Sequence, residues 1–455
     1  MTPIDARTLA DQIGGEIAAG SGTVCADAIS TDTRTIPKGS VFFALKGDRF
    51  DANDFAPQAL AAGASIIVVE RWEGDAPDNV AVIRVADGLS ALQRFAAWYR
   101  RQREIPVVGI TGSNGKTSTK DFTAAVLGAA YKVRATVGNL NNHIGVPLSV
   151  LSMEAEDTAA IFEMGMNHPG EIEPLCEIAR PNLGIITNIG TAHIEYMGSR
   201  ESIAEEKGAL ARCLPDEGAL FVPAGCDFYD YFKRRTKARI IPVGNGRGMI
   251  RADNFHQDHL GSRFSLVIDG KDVAEVDLPV TGRHMATNAL LAAGVGWFLG
   301  ISAEQIATAL SNAVLTSGRL RRYVSGGVTV FDDTYNANPE SMAAAIDTLA
   351  ETPVRKGRGS RYAVLGHMGE LGPHAAEAHL QIGRLAAERG LSVVAVGEGA
   401  QGIAKGAVRA EYFPDNDSAA EWLTSNVVAG DVVLFKASRS VAIERVMAQA
   451  FPSED

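Results

Sequence analysis

The chain has 455 residues, 46% of them hydrophobic and 21% charged, with a formal net charge of −11. That length exceeds one ordinary core and predicts several domains. The acidic balance argues against a general nucleic-acid binder, whose footprint is basic. No apolar run approaches the roughly 18–20 residues that cross a membrane, so membrane insertion is not expected.

The predicted elements fall into three blocks. In the first, Asp5 caps a helix that ends at residue 13, apolar strands run over 41–45 and 66–69, and a helix over 90–102 carries Leu92, Phe95, Ala96 and Tyr99 on one face. The second opens with an apolar strand at 105–110 and continues through β-like runs at 158–163 and 183–189, with helical stretches between them. Such alternation predicts a mostly parallel sheet, ending near 317–318. The third alternates strands at 328–331, 362–365, 393–396 and 432–435 with helices at 340–350, 375–388 and 419–426, and holds a loop at 357–360. The expectation is an α/β chain of three domains, 1–103, 104–317 and 318–455, the last Rossmann-like. Ligands held between compact blocks suit domain closure.

Four cysteines, Cys25, Cys176, Cys213 and Cys226, form no C-x-x-C pair. This disfavours zinc and suits a reducing cytoplasm. The first residues lack the basic-then-apolar order of a secretory signal.

The most informative stretch is Gly109-Ile-Thr-Gly112-Ser113-Asn114-Gly115-Lys116-Thr117-Ser118. A glycine-rich turn from strand into helix aims several N–H groups at one spot, and the helix N-terminus adds partial positive charge. Lys116 can reach the outer phosphates of ATP, and the Thr117 hydroxyl can ligate Mg²⁺. Ile110 stands where the full pattern has glycine, so this is a P-loop variant. Glu163 closes an apolar strand beside the loop, a position that suits Mg²⁺.

Other residues read less sharply alone. Asn142, in Gly138-Asn-Leu-Asn-Asn142, can contact phosphate or simply build the turn. His193 follows an apolar strand, where a lone histidine is more often structural. Lys207 reads as a surface helix lysine. Asn288 offers a bidentate amide suited to an adenine edge. Arg319 has the planar fork that pairs with phosphate.

Together these motifs, in this order, resemble the Mur ligases of peptidoglycan synthesis, over nearly the whole chain. Gly282-Arg-His284-Met-Ala-Thr-Asn288, Gly318-Arg319-Leu, Asp332-Asp333-Thr-Tyr335-Asn336-Ala-Asn338-Pro and Leu365-Gly-His367-Met-Gly-Glu-Leu-Gly372 carry the resemblance. It implies ATP and two Mg²⁺ ions as cofactors, with Glu163 and His193 as metal ligands and Lys207 carbamylated. It makes Lys116, Glu163, His193 and Lys207 catalytic, and puts Asn288, Arg319 and Asp333 on ATP. Ser30, Thr31, Arg34 and Lys46 would recognise a UDP-sugar. Asn142, Tyr335, Asn336 and Asn338 would face substrate. Lys436 and Arg439, in Lys436-Ala-Ser-Arg439, would take a carboxylate or a phosphate, or form plain salt bridges. The absence of Asp-Asn-Pro-Arg favours the branch that joins D-alanyl-D-alanine to UDP-N-acetylmuramoyl-tripeptide. A cytoplasmic monomer is expected. Another Mur ligase, a folylpolyglutamate synthetase, or an ATP-binding switch without ligase chemistry are the competing expectations. Three positions depart from the family pattern: Met285, His367 and Ala437.

Overall fold

The computed structural model describes residues 1–47, 49–258, 260–354, 359–407 and 409–453. Residues 357 and 358 of the loop expected at 357–360 lie outside the described residues.

Three α/β units follow one another. The first is built on a five-stranded sheet in the order Glu16–Gly20, Ala81–Arg84, Ile66–Val69, Ser40–Phe43, Ala28–Ser30, parallel except for its first pairing. Ile66–Val69 is four β-branched residues, all buried, as a strand covered on both faces requires. The helix Ala6–Ile13 starts where predicted: the Asp5 carboxylate accepts from the Thr8 N–H at 2.9 Å.

The central unit holds nine strands. Val107–Thr111 lies third from one edge, between Leu183–Ile186 and Ala159–Glu163, and pairs in parallel with both. The sheet becomes antiparallel only at one edge, through Ile250–Gln257, Ser262–Ile268 and Lys271–Leu278. The third unit has six strands, in the order Arg321–Ser325, Val328–Asp332, Val432–Lys436, Arg361–Gly366, Ser392–Val396, Ala410–Phe413. Only the first pairing is antiparallel. The helix expected at 375–388 has those ends. The helix after the P-loop runs from Lys116 to Leu127.

The two junctions between units differ. One buried apolar cluster runs without a break from Leu9, Phe43 and Phe95 to Val107, Phe162 and Leu210. The helix Gly88–Arg101 seals it: the Tyr99 hydroxyl donates to the Met153 carbonyl at 2.7 Å and Arg100 Nε to the Ala179 carbonyl at 2.8 Å. Burial pushes the Arg100 guanidinium down to about 10. The third unit keeps its own two cores, one on each face of its sheet.

Candidate active site

In parallel sheets ligands gather beyond the C-terminal strand ends. Val107–Thr111, Ala159–Glu163 and Leu183–Ile186 all end on that edge, so Gly112–Thr117, Glu163 and His193 converge there. Gly112 has φ 149° and Gly115 φ 78°. A Cβ on Gly112 would lie 1.8 Å from Thr187 Oγ1, and one on Gly115 2.8 Å from Asn288 Oδ1. Glycine is therefore required at both places, and Asn288 packs directly against the loop.

The loop is tied to the next strand end. The Ser113 and Asn114 N–H groups donate to the Asn188 carbonyl and Oδ1 at 3.1 and 2.8 Å, and the Gly190 N–H donates to Ser113 Oγ at 2.9 Å. Lys116 Nζ donates to the Gly112 carbonyl at 2.8 Å. The Thr117 hydroxyl donates to Glu163 Oε2 at 3.0 Å, and Asn141 Nδ2 donates to Oε1 at 2.9 Å. Glu163 is 3% exposed. Asn141, one residue before the expected Asn142, is thus the amide that engages this carboxylate. Asn142 instead accepts from the Ile144 and Gly145 N–H groups, which builds the turn.

Lys207 is not on the surface. It is 1% exposed in the middle of helix Arg200–Cys213. Burial, reinforced by the charge on Lys116 and opposed by Glu206, holds its amine well below the usual lysine range. The Glu206 carboxylate is spent elsewhere, accepting from the Gly170 and Ile172 N–H groups at 2.7 Å each. Burial also lowers Lys116; Glu163 opposes this and Arg319 adds to it. His193 has a left-handed backbone, φ 63°, and its Nδ1 lies 2.7 Å from Glu370 Oε2 in the third unit, where Glu370 has φ 59°. The histidine contact holds the Glu370 carboxyl below its usual range.

The third unit brings Arg319 to the loop. Its Nη2 donates to Thr117 Oγ1 at 3.3 Å, and its guanidinium lies 3.8 Å from the Tyr335 ring centroid. Two left-handed residues, Gly318 (φ 75°) and Leu320 (φ 58°), aim it. Arg319 Nε and Asn114 Nδ2 are buried donors without a hydrogen-bond acceptor. With the P-loop amides they form a cradle suited to phosphate oxygens.

Asp333 accepts from Lys436 Nζ at 2.6 Å, and that amine also donates to the Asn336 carbonyl at 3.0 Å. Two residues assigned to different ligands therefore form one pair, with Lys436 3% exposed. Asn338 caps helix Pro339–Glu351 through its amide oxygen, while Nδ2 donates to Asn114 Oδ1 at 2.6 Å. Arg439 pairs with Glu444 at 2.8 Å. Ser30, Thr31, Arg34 and Lys46 share one edge of the first sheet. Ser30 Oγ donates to the Asp32 carbonyl, and Arg34 is exposed on the Asp32 carboxylate at 2.6 Å.

Three family models match in chain order: the Mur ligase family catalytic domain over 26–100, the Mur ligase middle domain over 110–296, and the Mur ligase glutamate ligase domain over 318–439. The UDP-N-acetylmuramoyl-tripeptide–D-alanyl-D-alanine ligase of Escherichia coli is 36% identical over 98% of each chain. The chain belongs to the Mur ligase family. The Bacillus subtilis protein of the same name is 35% identical over 92% of each chain. A crystal structure of MurF from Acinetobacter baumannii superposes with a TM-score of 0.91 at 33% identity, covering 99% of both chains. A MurF ligase structure from Thermotoga maritima in complex with ADP gives 0.85 at 29% identity, over 93% of this chain and 97% of that one.

This Mur ligase accommodates its three departures locally. Met285 is buried, and its sulfur lies 3.9 Å from Asn288 Nδ2. His367 stacks on His379, with centroids 4.9 Å apart and planes 8° apart. The Ala437 methyl fits because residue 366 is glycine: a Cβ there would lie 2.6 Å away.

Proposed function

We propose that the chain is an ATP-dependent ligase that joins D-alanyl-D-alanine to the terminal carboxylate of UDP-N-acetylmuramoyl-tripeptide, releasing ADP and phosphate. One observation carries the reading. A phosphate cradle, the Thr117–Glu163 pair and the buried Lys207 amine meet in a chain 36% identical, end to end, to a ligase of that name.

The chemistry explains why these groups are needed. A carboxylate does not expel oxide. Transfer of the γ-phosphoryl group of ATP to it makes an acyl phosphate, whose leaving group is phosphate. The dipeptide amine then attacks the carbonyl, and the C–O bond breaks as the C–N bond forms. Two anions must meet in the first step, so concentrated positive charge is essential. The P-loop amides, Lys116 and Arg319 provide it. Asn288 sits beside Gly115 to take the adenine, and Asp333, steadied by Lys436, takes the ribose. Water excluded by domain closure cannot hydrolyse the acyl phosphate.

Thr117 and Glu163 are hard oxygen donors 3.0 Å apart, a set that fits Mg²⁺. Thr117 and Glu163 would hold the ion, which would supply neutralisation of phosphate charge. A second ion is assigned to His193 and to Lys207 as its carbamate. Burial favours the neutral Lys207 amine, the form that attacks CO₂; the N–C bond forms, one proton leaves and an anion results.

Ser30, Thr31, Arg34 and Lys46 are assigned to the UDP moiety, Asn142, Tyr335, Asn336 and Asn338 to the substrate face, and Lys436 and Arg439 to the dipeptide side. The domain boundaries are placed at 103/104 and 317/318. The chain is assigned as a monomer acting in the cytoplasm.

Phosphate release separates this reading from its rivals. Release with UDP-N-acetylmuramoyl-tripeptide should require D-alanyl-D-alanine. Release with glutamate or diaminopimelate instead would transfer the chain to another ligase branch. No release with any UDP-muramyl peptide would favour the switch protein. Folylpolyglutamate synthase from Mycobacterium tuberculosis shares the fold alone, at 17% identity and a TM-score of 0.64.

A further inference from the structure

Glu340 stands in the first turn of helix Pro339–Glu351, where a carboxylate ordinarily serves its own helix dipole. Here it reaches across to the central unit. Its Oε1 accepts from the Thr191 N–H at 2.8 Å, and its Oε2 from the Thr191 hydroxyl at 3.1 Å. The approach is close enough that a Cβ on Gly190 would lie 2.8 Å from Glu340 Cδ. Gly190 and Thr191 are not an isolated loop. The Gly190 N–H donates to Ser113 Oγ, and Asn188 accepts from the Ser113 and Asn114 N–H groups. The same helix holds Asn114 through Asn338.

We propose that Glu340 is a positioning residue: its two-pronged grip on Thr191 clasps the third unit onto the P-loop and so brings Arg319 and Asp333 to ATP. The proposal rests on the ligase reading for its kinetic consequence, but not for the clasp itself. Both hydrogen bonds go to a charged acceptor, the stronger kind. They join units that share no continuous apolar core, and they act beside the Asn338–Asn114, Arg319–Thr117, His193–Glu370 and Gln257–Glu351 contacts across the same joint. If the binding-competent arrangement is the clasped one, loosening it lowers apparent ATP affinity by the competent fraction and leaves turnover at saturating ATP nearly unchanged.

The test uses the full chain and three variants: Glu340→Ala, Glu340→Gln and, from the other side of the joint, Gly190→Ala. Small-angle X-ray scattering without nucleotide should show a larger radius of gyration for Glu340→Ala and Gly190→Ala than for the parent. ATP should restore compactness. KM for ATP should rise about tenfold in both, with kcat changed less than about twofold. Glu340→Gln, which keeps an acceptor for Thr191, should recover most of the loss. The double variant should be no worse than either single one. Unchanged scattering and unchanged KM in Glu340→Ala and Gly190→Ala would overturn the proposal, and so would a loss in kcat alone. Should one variant fail to fold, the other decides. If no ligase activity exists, the scattering comparison still stands or falls by itself.

Discussion

The two junctions of this molecule are built from different materials. Between the first and central units a single apolar core runs through, with Phe95 stacked on Phe43 and Trp98 at centroid distances of 6.2 and 6.1 Å and edge-on to Tyr99 at 6.3 Å. Between the central and third units the bonds are chiefly polar: Glu340 on Thr191, Asn338 on Asn114, Arg319 on Thr117, Glu370 beside His193, with Ile194 an apolar side chain that touches both cores. Buried apolar surface is strong and undirected, and makes one rigid platform. Each directed hydrogen bond contributes only about 1 kcal/mol net, somewhat more to a charged acceptor, and can be exchanged with water when the units part. The difference assigns stability to the first junction and chemistry, with closure, to the second.

Substitutions can break that division. The largest effect is expected from Lys116→Ala. Ligation should fall on the order of 10³-fold or more, since a charge aimed at the transferring phosphoryl group is lost. Its melting temperature should stay near the parent's by calorimetry; near-normal turnover would remove the P-loop from the mechanism. Lys207→Ala should also lose ligation, with partial rescue by short carboxylic acids that replace the carbamate anion. Full activity without rescue would end the carbamate assignment. Phe95→Ala should do the opposite of Lys116→Ala. Denaturant unfolding should show a loss of about 3–5 kcal/mol, while the folded fraction keeps its kcat. A large kcat defect there would contradict the separation.

The smallest effect concerns pH. His284 sits in the first turn of helix Arg283–Phe298, and burial pushes its imidazole down from the usual 6.5 to about 4. Asp333 opposes the shift, Lys436 adds to it, and Asp347 opposes it weakly. The unfolded chain therefore takes up a proton before the folded one as pH falls. This contribution is intact above about 6.5 and is lost progressively towards about 4. Urea titrations across that window should show a shallower slope in His284→Gln than in the parent. An identical slope would mean that His284 is not held neutral by the fold.

What the sequence discloses depends on how far apart the partners lie. The P-loop declares itself because its glycines, lysine and threonine are contiguous and their backbone demands are local. Glu163 is visible as the end of an apolar strand. Lys207 is not: nothing in Ile-Ala-Glu-Glu-Lys-Gly marks it as buried, because the packing that covers it comes from other segments. Asn141 and Asn142 are indistinguishable in sequence, yet one holds Glu163 and the other the turn. Thr191 and Glu340 are 149 positions apart, so no local pattern joins them. The signal that was available was Gly190, a glycine with no turn to make.

The central claim is that a peptide carboxylate, not water, receives the phosphoryl group. It can be followed by labelling the terminal carboxylate of UDP-N-acetylmuramoyl-tripeptide with ¹⁸O and analysing the released phosphate by mass spectrometry. An acyl phosphate hands one carboxylate oxygen to phosphate, so each turnover should yield phosphate carrying a single ¹⁸O. Unlabelled phosphate, with ATP consumed at the same rate, would mean that water was the acceptor and would contradict the account.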